Sequence, residues 1–274
     1  MAMNNDAQEL ANYVLFEANR FHTINHNIAE ESRGCIFVNG QELATLMCSP
    51  HDLDDLAIGF LRSEELISSI DDIASLTLSK QGTCVDVWLT HPLKVPPVRR
   101  ITTSGCGGGV TFDDLLKERN PLPSSTIITT AQVGPLMKKL YQSANLYQDT
   151  RGIHTAALCD PEELLVIAED IGRHNTIDRV WGRALKQRID TQNKILISTG
   201  RISSEMLGKA AKAGIPIVIS RTSPTSLSVK LARAWNITII GYARGESFRI
   251  YAAQDRVLLA EPINQQLPFN LPVI

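Results

Sequence analysis

No run of apolar residues in this chain approaches the roughly 18 needed to cross a bilayer as a helix. Met1 to Leu10 has neither the basic start nor the apolar stretch of a secretory leader. A cytoplasmic location without a membrane partner is therefore expected. A large excess of either charge is missing as well: 27 Lys and Arg face 29 Asp and Glu, a formal net charge of -2. A general nucleic-acid binder carries a basic excess, so no nucleic-acid partner is expected. Any anion site must be local and built from a few placed arginines. There is no Cys-x-x-Cys and no His-x-Glu, since Thr155-Ala156 follow His154. Zinc-dependent nucleobase deamination needs both, so no protein-bound zinc is expected. A Walker phosphate loop is absent too. Five cysteines, an odd number, do not make a disulfide framework and fit free thiols in a reducing compartment.

What is present suffices for a large core, because 43% of the 274 residues are hydrophobic, enough for one domain or two. Residues 1 to about 30 carry little pattern. Cys35–Val38 and Leu43–Met47, separated by Asn39-Gly40, read as a hairpin. Ser49-Pro50-His51-Asp52 is a helix-entry signal, with Ser49 as N-cap and Pro50 at the first position. Leu53, Leu56, Ala57, Phe60 and Leu61 then recur at helical spacing. The acids Asp52, Asp54, Asp55, Glu64 and Glu65 are expected on the solvated side and flanks. Two short strands are expected within 73–90. Cys35, Cys48, Cys84 and Cys159 lie in or beside strand-like runs or before a helix, and are expected to be inert packing.

From His91 to Asn120 the character changes. Prolines, Arg99-Arg100 and the run Thr102 to Gly109 exclude a regular helix or strand, and a short helix is expected over 112–119. Pro121 to Ser125 reads as a linker, which places a boundary between a smaller domain, 1–122, and a second, 123–274. The second alternates: helix near 131–145, strands 153–159 and 164–169, helix 174–187, strand 194–198, helix 203–213, strand 215–219, helix 224–235, strands 237–242 and 247–252. That order predicts an α/β fold with parallel pairing and helices covering the sheet.

Cys106 sits between Gly105 and Gly107-Gly108-Gly109, where little side-chain bulk would hinder a large partner. Arg99 and Arg100 upstream, with several backbone N–H groups, favour its thiolate, the reactive form. The alternative is a glycine-rich loop that merely contains a cysteine. Downstream, four expected strands each deliver an arginine at the carboxyl end: Arg173, Arg201, Arg221 and Arg244. In open α/β sheets that edge binds ligands, and arginine suits bidentate contact with phosphate. Asp170, Gly172 and His174 join the same crevice, and His154 at a strand start has a weaker case.

The chain resembles the FdhD family of formate dehydrogenase accessory sulfurtransferases over nearly its whole length. The resemblance rests on Met47 to Phe60 with Ser63-Glu64, on Thr103-Ser-Gly-Cys-Gly107, and on His154-Thr-Ala-Ala157. It extends to Glu169-Asp-Ile-Gly-Arg-His174 with Asp178, Ser198 to Met206, and Gly241-Tyr-Ala-Arg-Gly245. It implies a carrier that takes sulfur from a cysteine desulfurase as a persulfide on Cys106. The sulfur then passes to bis-molybdopterin guanine dinucleotide, the cofactor of formate dehydrogenase, held here as a bound substrate through its GDP-like end. Tyr242, Ala243, Arg244, Gly245, Glu246 and Ser247 fall on the stretch that the family assigns to this cofactor. The resemblance also implies a homodimer and a second domain with a three-layer α/β/α, mixed-sheet, cytidine deaminase-like fold beside a smaller N-terminal α+β domain. Some relatives carry Cys-x-x-Cys in the loop, whereas Gly109 stands here, so a single-thiol relay is expected. Two other readings are a chaperone that binds the cofactor without a covalent step and a zinc hydrolase on the same fold.

Overall fold

Two sheets, each with its own apolar core, carry the chain, and a pair of crossing helices joins them. A computed structural model describes residues 7–79, 82–93, 101–102, 110–111, 119–123 and 125–260, with 101–102 and 110–111 described by backbone alone. The expected helix over 112–119, save its last residue, and the whole segment around Cys106 lie outside the described residues.

At the start, β1 (Gln8–Glu17) and β2 (Arg20–Ala29) form an antiparallel ribbon, although residues 1 to about 30 carry little pattern in sequence. The missing signal has a cause. Leu10, Val14, Phe16 and Phe21 are exposed rather than set on one buried face, so no core-facing alternation marks these strands. Next come β3 (Ser32–Val38), β4 (Gln41–Cys48), α1 (Leu53–Ser63), β5 (Ile73–Leu78) and β6 (Cys84–Leu89). Their sheet has the order β4-β3-β6-β5, with β3 and β6 parallel at its centre. The apolar stripe of α1, including Leu56, Phe60 and Leu61, covers one face of it over Ile36, Val38, Val85 and Val87. Then β7 (Ile101–Thr102) and β8 (Val110–Thr111) pair antiparallel, so the chain leaves for the Cys106 segment and returns from it at one place.

The second half runs β9 (Ile128–Thr129), α2 (Thr130–Gln142), α3 (Asn145–Thr150), β10 (His154–Cys159), β11 (Leu164–Asp170) and α4 (Arg173–Lys186). It continues through β12 (Ile195–Ser198), α5 (Ser204–Lys212), β13 (Ile217–Ser220), α6 (Ser226–Trp235), β14 (Thr238–Arg244), β15 (Ser247–Ala252) and β16 (Val257–Leu258). Six strands make one mixed sheet of order β11-β10-β12-β13-β14-β15, in which β12, β13 and β14 are parallel and the others antiparallel. Alternate strand residues feed two cores. Ala156, Leu158, Leu196 and Val218 pack under α4, α5 and α6, while Ala157, Ile195, Ile197 and Ile219 pack under α2. The result is three layers, helix on sheet on helix.

The halves are locked where α1 crosses α4. A Cβ on Gly59 would lie 1.7 Å from the Asp178 carbonyl oxygen, and one on Gly182 would lie 1.9 Å from that of Asp55. The two backbones therefore touch, which only glycine allows at these positions. Across the seam Arg183 pairs with Asp52 and Asp55, each at 2.7 Å, and Lys186 with Asp55 at 2.8 Å and with Asp54. Of the acids expected to face solvent, Asp52, Asp54 and Asp55 are thus interface groups, Asp55 and Glu64 are buried, and Glu65 is exposed as expected. The helix also begins later than its entry signal. Ser49 does not cap it: its hydroxyl accepts a hydrogen bond from the Ile171 backbone N–H at 3.1 Å, and Asp52 is the residue before the first turn.

Candidate functional site

The four strand-end arginines do not converge on one crevice. Strand pleating sends neighbouring positions to opposite faces of the sheet, and the arginines divide into two pairs at the same sheet edge. Arg221 and Arg244 lie on the α2 face, where they line a groove of about 1140 Å³ between α2, α3 and the β14–β15 turn. Arg173 and Arg201 lie with His154 and His174 on the α4–α5 face.

The groove is walled by Tyr141 and Tyr147, whose rings stand 5.9 Å apart and inclined at 58°. The Arg221 guanidinium lies 5.0 Å from the Tyr141 ring and that of Arg151 lies 5.3 Å from the Tyr147 ring. Burial pushes the Tyr141 phenol up, with Arg221 opposing, so it stays a neutral donor. Lys138 and Lys139 add cations along α2, and Glu246 is the one acid in the lining. Of the stretch 242–247, Ala243, Arg244, Gly245 and Glu246 line the groove. Gly245 takes a left-handed turn, φ 56°, that brings the hairpin back over α2. Tyr242 sits beside the groove with Arg249 4.3 Å and Arg244 5.9 Å from its ring, and Ser247 is exposed as β15 begins. Two aromatic faces and several cations suit a planar base joined to phosphates. Tyr141, Tyr147 and Arg151 were not identified from sequence, because they come from helices outside the strand-end pattern.

On the opposite face His174 lies in the first turn of α4 and its Nε2 is 3.2 Å from both the Ser203 hydroxyl and a Glu205 carboxylate oxygen. Burial drives the His174 pKa down to about 3, helped by Lys209 and Arg173. Burial pushes Glu205 up to about 7, against the pull of Lys209. Near neutrality the pair therefore holds its proton on the carboxyl and keeps the imidazole neutral. Lys209 is engaged with Asp178, its Nζ donating at 2.5 and 2.6 Å. His154 is half-buried, its pKa lowered by burial and then by Arg173, and it lies near the Gly200 backbone where Arg173 also packs. Gly172 supplies the residue before the first turn of α4, and Arg201 is exposed. Ser203 and Glu205 were missed as well, since neither stands at a strand end.

Asp170 requires a correction. It was expected to face the ligand crevice, but it is fully buried and both oxygens are occupied. One accepts from the Gly172 N–H at 2.7 Å and the Asn175 amide at 3.0 Å, the other from Arg179 at 2.8 Å and the Ser49 N–H at 3.2 Å. Asp170 fastens the two halves together and has no lone pair turned to a ligand. Among the described residues, Asp52, Asp54 and Asp55 are the acids close enough to share a metal, and Arg183, Lys186 and His51 already pair with them. Cys106 lies outside the described residues.

The profile of the FdhD/NarQ family matches residues 29–258. The chain belongs to that family. A Bacillus subtilis (strain 168) sulfur carrier protein FdhD is 35% identical over 93% of this chain and 99% of its own length. A Bacillus pumilus sulfur carrier protein FdhD is 40% identical over 84% of this chain and 90% of its own. A Desulfotalea psychrophila protein, crystallised and assigned as a formate dehydrogenase accessory protein, superposes with a TM-score of 0.75 at 26% identity, covering 92% of this chain and all of that one. The match to FdhD/NarQ proteins spans both sheets, and with them the groove and the His174 cluster. No helix among the described residues is long and apolar enough to cross a membrane.

Proposed function

We propose that this chain is a sulfur carrier in formate dehydrogenase maturation, as its FdhD relatives are named. Cys106 receives sulfur when its thiolate attacks the outer sulfur of a cysteine desulfurase persulfide; the S–S bond there breaks and the desulfurase thiolate leaves. The substrate that takes the sulfur onward is bis-molybdopterin guanine dinucleotide, its GDP-like end held in the groove with the base toward Tyr141 and Tyr147 and phosphates toward Arg221 and Arg244. The groove carries this reading: Ala243 to Glu246, the middle of the stretch that resemblance links to the cofactor, line its rim. The protein works as a homodimer in the cytoplasm and has formate dehydrogenase as its client.

The test separates sulfur loading from nucleotide binding. After incubation with a desulfurase and cysteine, mass spectrometry finds one added sulfur on Cys106, absent in Cys106→Ala, while GDP binding persists in that variant. Arg221→Ala and Tyr141→Ala reverse the pattern, weakening GDP binding at least tenfold while Cys106 still loads. Cofactor insertion that survives Cys106→Ala instead supports the non-covalent chaperone, which the groove would serve equally well.

A further inference from the structure

Cys35 and Cys84 do not sit as packing cysteines do. They are in-register partners on the parallel strands β3 and β6, so their side chains leave the same face of the sheet. Their neighbours Ile36 and Val85 are buried beneath α1 on the other face. Both thiols are free and half-buried, whereas Cys48 and Cys159 are fully enclosed. A free cysteine is ordinarily among the most buried residues, and two side by side on an open sheet face have no packing rationale. Cys35 also lines an open recess of about 520 Å³ with Arg33, Glu42, Thr45 and Thr83, wide enough to admit a small thiol compound.

We propose that Cys35 and Cys84 form a redox-active dithiol, a modification site separate from Cys106, that reacts with low-molecular-weight disulfides. In the first step a Cys35 thiolate attacks one sulfur of the small disulfide; the Cys35–S bond forms, the small S–S bond breaks and a small thiolate leaves. Cys84 then attacks the Cys35 sulfur, expelling the second small thiolate and closing a Cys35–Cys84 disulfide. The two cysteines lose two electrons and two protons, and the small disulfide becomes two thiols. Adjacent strands are about 4.8 Å apart, inside the roughly 4.4–6.8 Å range of Cα separations that a disulfide spans. The Cys84 thiol and partial burial push the Cys35 thiol up, so its attack on the small disulfide is carried by a minor thiolate fraction and is slow near neutral pH.

The experiment uses the full chain carrying Cys106→Ser, incubated with oxidised glutathione. Residual thiols are alkylated and the unreduced digest is mapped by mass spectrometry. The expected product is a peptide pair joined through Cys35 and Cys84 that separates on reduction. With Cys84→Ser added, Cys35 instead keeps a stable glutathione adduct, and both variants melt as the parent does. The proposal is overturned if Cys35 and Cys84 are recovered alkylated under conditions that modify Cys106 in the unsubstituted chain, or if Cys35 bridges only to another molecule.

Discussion

Arg179 shows how much a single side chain can carry. It is fully buried, and each of its five N–H groups has an oxygen: Nε and Nη2 meet Asp170 at 2.8 Å, Nη2 also reaches the Ser49 carbonyl at 2.7 Å, and Nη1 serves the carbonyls of His51 and Asp52. Removing one partner of such a pair leaves a buried charge without compensation. Arg179→Ala is therefore expected to cost about 3–5 kcal/mol, read as a lowered midpoint in urea unfolding. A second outcome follows from His174 and Glu205. The unfolded pair binds its second proton near the ordinary Glu pKa of about 4.3 and loses its last near the ordinary His pKa of about 6.5. The folded pair keeps one proton from about pH 3 to about pH 7. Where the unfolded chain binds more protons, between about pH 3 and 4.3, stability rises with pH; where the folded chain binds more, between about 6.5 and 7, it falls. The pair's contribution is thus flat between those windows and declines on either side. Glu205→Gln fixes a neutral donor at this position and should abolish the decline above pH 6.5, worth under about 1 kcal/mol, which melting curves at pH 6 and pH 8 in both proteins would reveal.

At the scale of elements, the crossing of α1 and α4 is the tightest contact. Gly59→Ala or Gly182→Ala must push the helices apart, and each should cost at least about 1–3 kcal/mol, measured by thermal melting, whereas Gly245→Asn in the left-handed turn should cost well under that. Most helices and strands after Ile128 were legible from periodicity because one face of each is buried against a single sheet. The ribbon β1–β2 was not, since its apolar residues face water on both sides. The Ser49-Pro50 signal misled for a related reason: those backbone groups are claimed by Arg179 and Asp170, from more than 100 residues away, and long-range bonds leave no local trace. The site was half legible. Strand ends pointed to the sheet edge where the groove and the His174 cluster lie, yet which face each arginine takes depends on pleat and register. The tyrosines of α2 and α3 belong to a groove that exists only after packing.

Across the whole molecule, the seam between the sheets is more than an ordinary domain contact. It combines touching backbones, a buried ion pair and several charged bridges. Residues 1–122 and 123–274 expressed separately are expected to lack sharp tertiary structure, and the full chain to unfold in one transition seen alike by near- and far-ultraviolet circular dichroism. Two well-separated transitions would contradict that. The same seam constrains biosynthesis. During translation the first sheet emerges from the ribosome with the contact face of α1 uncovered, and its mate follows more than 100 residues later. Until that helix arrives the nascent chain must wait half-assembled, its aspartates lacking the arginine and lysine that will answer them, which makes this interval the period when a chaperone would matter most.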